Sequence, residues 1–405
     1  MVTRSIGLAC GAALALIAAI MPGSASMASP VGAGSAPVAW VVNQDVRSAV
    51  KGSVTPIDTA TNKVIKKIPV PGNAIAVALT PDGRTAWVAL NAARPGGRGA
   101  VIPVSTSTYH VGKPVKVACM LPGNMVITPS GKTLYVGDSV SGTVAPVHTA
   151  TGAAGRPIKT GANPLEITMA ITPDGKTVYV VNEEPAGVVT PIDTATNTAG
   201  KNIKVGAYPF AIVITPDGKT AYVLNLAQGV PGKGTVTPIS TATNIAGKPI
   251  PIKHAAFPLA ANLLVITPDG KTFYAAGSTT LTPIDTATNT ALPAIRVAPR
   301  HGFDTAVAIT PDGRTIYVVG EFASFTRGYI VPVSTATGAV GKAIVVRGFP
   351  GLMAFTPDSK TLYVLRAGGS PAQLPQDVIP VSTATNTVSR AIDTGLQPMA
   401  IAISR

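Results

Sequence analysis

Cysteine is almost absent from this chain: two residues in 405, Cys10 and Cys119. No disulfide framework can be built from them, so a fold outside a reducing compartment must rest on its core. Histidine is equally scarce. His110, His148, His254 and His301 fall far apart in the chain, and no H-E-x-x-H or C-x-x-C spacing marks a metal site. Charged residues make up 12% and aromatics 5%. No Lys/Arg run is interleaved with aromatics, which excludes a stacking platform for single-stranded nucleic acid. No G-x-S-x-G elbow, Walker loop or Rossmann glycine fingerprint occurs. What is abundant is Gly (41) and Pro (37), set among β-branched residues, the composition of many short strands joined by tight turns.

The first residues read as an export signal. Arg4 supplies the positive start, residues 6–20 are apolar and uncharged, and Pro22 and Gly23 break the run before small residues. The run is short for a membrane span. Cys10 lies too early for a lipobox, and Gly7 stands where Leu is wanted. The expectation is a signal peptide over residues 1–28, a disordered linker over 29–37 and one domain over 38–405. The product is then secreted or held at the cell envelope, without a transmembrane helix after cleavage. Cleavage leaves Cys119 alone, most simply as a small buried residue.

Two motifs alternate along the rest of the chain. The first, I-T-P-D-G-K-T-x-Y-V, has its Thr at Thr80, Thr128, Thr172, Thr215, Thr267, Thr310 and Thr356. The second, V-T-P-I-D-T-A-T-N, has its Pro at Pro56, Pro103, Pro146, Pro191, Pro238, Pro283, Pro332 and Pro380. The missing eighth copy of the first motif is split between the ends. Residues 38–43 match the half after the turn, and residues 399–404 match the half before it. Each unit reads as four antiparallel strands, a to d, repeating every 43 to 52 residues. That period, with complementary half-units at the ends, predicts an all-β propeller of eight four-stranded blades closed by pairing the terminal strands. Seven blades is the alternative count. The Pro of strand c lacks a ladder donor and is expected at a bulge or an unpaired edge.

The repeat resembles the YVTN-type β-propeller repeat. The string is echoed by Tyr179-Val180-Val181-Asn182 and Tyr222-Val223-Leu224-Asn225, and its usual continuation by residues 191–197 and 283–289. The resemblance covers nearly all of residues 38–405, and T-P-I or I-P-V stands here where Ser-Val-Ile is common. It implies an exported or cell-surface propeller, distantly similar to propeller lactonases, and leaves the activity open.

Up-and-down strand order puts the a–b and c–d turns on one face and the b–c and d–a connections on the other. The first face is uniform and reads as structural. The second carries long irregular loops at residues 92–99, 227–234, 321–328 and 367–376. One column on it stands out. Six residues before the T-P-D-G Thr, most units have Pro or Ala, whereas two have Glu166 and Asp304. Both are expected near the channel mouth, with Asn124, His254, Arg300, His301 and Arg347 as further ligand-binding candidates. Glu183, Glu184 and Glu321 lie in b–c loops of that face.

Two functions follow. One is a non-catalytic binding or scaffold module at the cell exterior, a monomer recognising a protein, glycan or envelope polymer. The other is a lactonase-like hydrolase using Glu166, Asp304 and His301, with a carboxylate or His as general base. No cofactor is expected, and a divalent cation is admitted only at Glu166 and Asp304. The net charge of +14 is read as cations scattered mostly in turns. That suits weak attraction to anionic envelope polymers rather than nucleic acid.

Overall fold

The computed structural model describes residues 36–44, 51–91, 97–119, 122–138, 140–161, 167–185, 187–226, 234–252, 263–300, 302–322, 324, 326–367 and 375–404. These residues form eight separate antiparallel sheets and no helix. Blade 1 holds the chain ends. Its strand b, Val38–Gln44, pairs on one side with strand c, Lys51–Asp58, and on the other with the C-terminal strand Pro398–Ile403. Blades 2 to 8 follow in chain order, each with strand a first. The eight strands a touch one another in an unbroken cycle, so they line the centre and strands d lie outermost. The eight-bladed, terminally closed propeller expected from the motif count is the observed fold.

The core is a ring of layers between blades. Alternate residues of strand b face opposite neighbours: Val178 and Val180 of blade 4 pack with Tyr135 and Val144 of blade 3, while Tyr179 and Val181 pack with Ile214 and Val223 of blade 5. Period-two patterning on both sides explains why these strands are apolar throughout.

Both motifs prove to be joints. In the first, the Thr hydroxyl donates to the Asp two residues on (2.5–2.6 Å), and the same Asp accepts the backbone N–H two residues further, as at Thr172, Asp174 and Lys176. In the second, the Thr after the Asp donates to the carbonyl of the first turn's Gly in the same blade, as Thr194 does to Gly175 (2.6 Å). The Asn ending the second motif sits at φ near +55° in five blades, a region Asn tolerates better than most residues. There its Oδ1 accepts the strand-b Tyr hydroxyl of the preceding blade. The pairs are Tyr135–Asn197, Tyr179–Asn244, Tyr222–Asn289, Tyr317–Asn386 and, across the ring closure, Tyr363–Asn62, all at 2.5–2.7 Å. Where strand b carries Trp, the acceptor has gone. Trp40 meets the ring of Tyr109 at 6.0 Å, and the turn following Trp87 has Gly152 at that position.

The Pro of strand c stands where strand d is interrupted. In blade 4, Val189 and Ile192 are three apart while their partners Ile203 and Ala199 are four apart, so one extra residue bulges opposite Pro191. The missing donor therefore costs no ladder bond.

Replacing Tyr179 by Phe should lower stability by about 1 kcal/mol, the worth of one hydrogen bond. Asn244→Ala should cost about 2 kcal/mol, because it also forces a Cβ-bearing residue into the left-handed region. Asn244→Gly should recover the backbone part. Urea melts in which Ala and Gly cost the same would remove backbone strain from this account.

Candidate functional site

The T-P-D-G face is consumed by these joints. On the opposite face, six blades present one cross-strand row among the described residues, made of strand a's variable column, the fourth residue of the Tyr-Val-x-Asn string in strand b, and its partner in strand c. In blade 5 the row is Pro209, Asn225 and Thr235, and in blade 1 it is Pro398, Asn43 and Ser53. The ladder shifts register at this column in several blades, which is why Pro is accommodated there.

The Asn fixes neighbouring blades together. Asn43 donates to Ser53 and Thr55 and accepts from Thr394 of blade 8 (2.9 Å), and Thr55 donates to the Thr394 carbonyl. Asn182 likewise donates to the carbonyl of Thr160 in blade 3 (2.9 Å).

Blades 7 and 8 depart from this row. In blade 7 it reads Asp304, Gly320, Tyr329. Gly320 has no side chain to separate its flanking partners, so Tyr329 reaches across the middle strand and donates to Asp304 Oδ1 at 2.7 Å. Tyr329 is wholly buried and Asp304 is 3% exposed. Asp304 Oδ2 has no hydrogen-bond partner. Burial pushes the Asp304 carboxyl up to about 7, against the downward pull of the Tyr329 bond and the Arg296 charge. Burial and the Asp304 charge push the Tyr329 hydroxyl upward as well. Next along strand b, Glu321 is partly buried and is raised by burial to about 7. Phe322 packs edge-on against Tyr329 (5.4 Å), and the Arg327 guanidinium lies 5.8 Å from the Phe322 ring centre. In blade 8 the row reads Pro350, Arg366, Asp377. Arg366 grips Asp377 through two bonds of 2.7 Å and donates to the Arg347 carbonyl. The two blades abut here, since a Cβ on Gly328 would stand 2.1 Å from Pro350.

The expected residues distribute as follows. Asp304 lies inside its blade beneath Tyr329, a correction to the expectation that it reaches an open channel mouth. The reason is Gly320, whose missing side chain lets the ring cover the carboxylate. Asn124 is buried in strand a of blade 3, opposite Gly137. Arg300 is exposed just before strand a of blade 7, and Arg347 is exposed at the end of its strand d. Glu183 is buried, and Glu184 lies beside it in the same connection. Glu166, His254 and His301 lie outside the described residues. Among the described residues no three His, Cys, Asp or Glu side chains gather as a cation site. Cys119 is buried, and burial pushes its thiol up to about 12, so it is a packing residue. Tyr329, Gly320 and Arg366 were not among the expected site residues; comparing strand-b and strand-c columns across repeats exposes Tyr329 and Arg366, whereas Gly320 shares its column with Gly277 of blade 6.

No family model matches the chain, and no curated protein does. Solved structures do. Hydrazine synthase from Kuenenia stuttgartiensis aligns over 77% of this chain and 96% of its own, with a TM-score of 0.58 and 22% identity. The dihydro-heme d1 dehydrogenase NirN aligns over 95% of this chain and 79% of its own, with a TM-score of 0.70 and 15% identity. A functionally unknown protein from Desulfotomaculum acetoxidans aligns over 90% and 98%, with a TM-score of 0.54 and 14% identity. Likeness at this level shows the propeller fold alone.

Proposed function

We propose that the chain is an exported, YVTN-type binding propeller that takes its ligand on the loop-bearing face over blades 7 and 8, without catalysis. One observation carries this reading. On that face, the Asn that joins blades through Asn43 and Asn182 is replaced in blade 7 by Gly320, and the strand-a column beside it holds a buried carboxyl with an unpartnered oxygen, set under a Tyr and beside the partly buried Glu321. Carboxyls raised to about 7 are partly protonated at neutral pH, so they donate as well as accept hydrogen bonds. That suits an uncharged, hydroxyl-rich ligand such as an envelope glycan. Strand b of blade 7 runs on through Glu321 and Phe322, which were expected in a loop, so the b–c connections bordering these two blades are 323–326 and 368–376, as binding loops border a rigid scaffold.

The test is retention of the purified chain on immobilised envelope polysaccharide. A Glu321→Gln variant with loop 368–376 shortened should lose most retention while keeping its melting temperature. Equal retention would remove this face from the account.

A second reading rests on the same two carboxyls. A group near 7 is poised as a general acid or base, as a lactonase-like hydrolase requires. Lactone turnover with an inflection near pH 7, abolished in Glu321→Gln, would favour hydrolysis over binding.

A further inference from the structure

Most cations are expected in turns, and the fold places their largest group along the outermost strand of each blade, chiefly in the break between its two parts. Seven of eight blades place a Lys or Arg two residues before the apolar residue of the second part of strand d: Lys66, Lys113, Arg156, Lys201, Lys248, Lys342 and Arg390. All seven are exposed. Four blades add an exposed cation just after that residue: Lys116, Lys159, Lys204 and Arg296. Strand d pairs only with strand c, so these side chains line the outer edge of each blade. Neighbouring outer strands touch one another from blade 2 to blade 6, which joins that part of the series into an arc.

Almost no carboxylate answers this arc. Among the described residues of strand d only Asp393 is acidic, and it pairs with Lys67 at 3.3 Å. Four of the six first-turn Asp residues pair with their own turn Lys at 3.5–3.9 Å, and Asp82 and Asp312 have Arg84 and Arg314 at that position. The turn ring is thus close to neutral, and the circumference holds a large share of the +14 net charge.

Charged edge strands discourage edge-to-edge pairing. That purpose would be served by either sign, and alternation would avoid repulsion along the arc. A uniform sign repeated at each blade instead matches a flexible chain of evenly spaced negative charges. We propose that the outer circumference is a docking track for a linear phosphate-bearing polymer of the cell envelope. Binding is multivalent, each blade adding one or two backbone contacts. These outer-strand positions carry no aromatic side chain, so bases would gain no stacking. The binding claim is independent of the loop-face reading, and only the polymer's location rests on export.

The full chain should bind labelled linear polyphosphate with a log K against log salt slope of about −4 or steeper. The variant Lys113→Gln/Arg156→Gln/Lys201→Gln/Lys248→Gln should bind at least about tenfold more weakly, with a slope shallower by about 3. A control with the same charge change in the turns, Lys132→Gln/Lys176→Gln/Lys219→Gln/Lys271→Gln, should keep the wild-type slope. Equal losses in both variants would reduce the effect to net charge and overturn the track. So would an outer-strand variant that binds normally but self-associates on gel filtration, since its cations would then be edge guards. Tighter binding of single-stranded DNA than of polyphosphate at matched charge would assign the surface to nucleic acid instead.

Discussion

A chain ending before Pro398 should show no cooperative thermal transition. The strand it lacks, Pro398–Ile403, is strand a of blade 1, and Ala400, Ile401, Ala402 and Ile403 are each at most 6% exposed. Ala400 and Ala402 pack in the layer between blades 1 and 2, and Ile401 and Ile403 in the layer between blades 8 and 1. Removing the strand therefore opens two layers at once. It exposes Trp40 and Val42 on one side and Val41 and Tyr363 on the other, all fully buried in the closed ring. At roughly 1.5–3 kcal/mol per large apolar side chain, the loss reaches about 10 kcal/mol. That is comparable to the total stability of about 5–15 kcal/mol available to a folded domain. The same strand carries the ends' other ties, among them Ser404 N–H to the Val38 carbonyl and the Val38 N–H to Ser404 Oγ. Ile401→Asp, which keeps the strand but buries a charge, should cost about 4 kcal/mol or more. Calorimetry and near-ultraviolet circular dichroism decide the matter. A truncated chain melting cooperatively within a few degrees of the full one would mean that the ring stands open without its clasp.

This closure was legible because a broken repeat is a local signal. Residues 38–43 and 399–404 each matched half of a pattern seen intact seven times. The turns were legible for the same reason: Thr172, Asp174 and Gly175 solve their geometry among themselves. The joints between blades were not, although their residues were in plain view. Tyr179 and Asn244 are 65 positions apart, and each has a sufficient local explanation, Tyr as a strand residue and Asn as a turn residue. Only the fold shows that both motifs describe one hydrogen bond. Asp304 was found as a departure from its column, but its environment was misjudged. A one-strand comparison places it at a channel mouth. The deciding facts lie in the next two strands, where Gly320 stands in a column otherwise filled by Leu, Asn, Asp, Arg or, in blade 6, Gly277, and Tyr329 replaces a small or short residue. Its counterpart Glu166 lies outside the described residues.

Asp304 should make the chain less stable as pH rises from about 4 to about 7, and Asp304→Asn should abolish that loss. In the unfolded chain its carboxyl titrates near the ordinary 3.8, and in the folded chain near 7. Below about pH 4 both states hold the proton and the group imposes no penalty. Between about pH 4 and 7 the unfolded state ionises first, so stability falls. Above about 7 both are ionised and the penalty levels off. A rise from 3.8 to about 7 corresponds to about 4 kcal/mol, and relaxation around the ionised group makes about 2–4 kcal/mol the expected range. Asparagine keeps the oxygen that accepts from Tyr329 and presents an N–H₂ where the neutral acid presents its O–H, so the variant mimics the protonated form at every pH. The repulsion of a chain with net charge +14 also changes with pH. It is nearly the same in both proteins, and it cancels when their unfolding free energies are subtracted. That difference, followed by urea denaturation from about pH 4 to 8.5, should grow in favour of Asp304→Asn with an inflection near 7. Tyr329→Phe should move the inflection upward, because it removes the bond that favours the ionised form. A difference that stays flat across this range would mean that Asp304 is solvated when the blade is folded, and the carboxyl would then be no anchor for a neutral ligand.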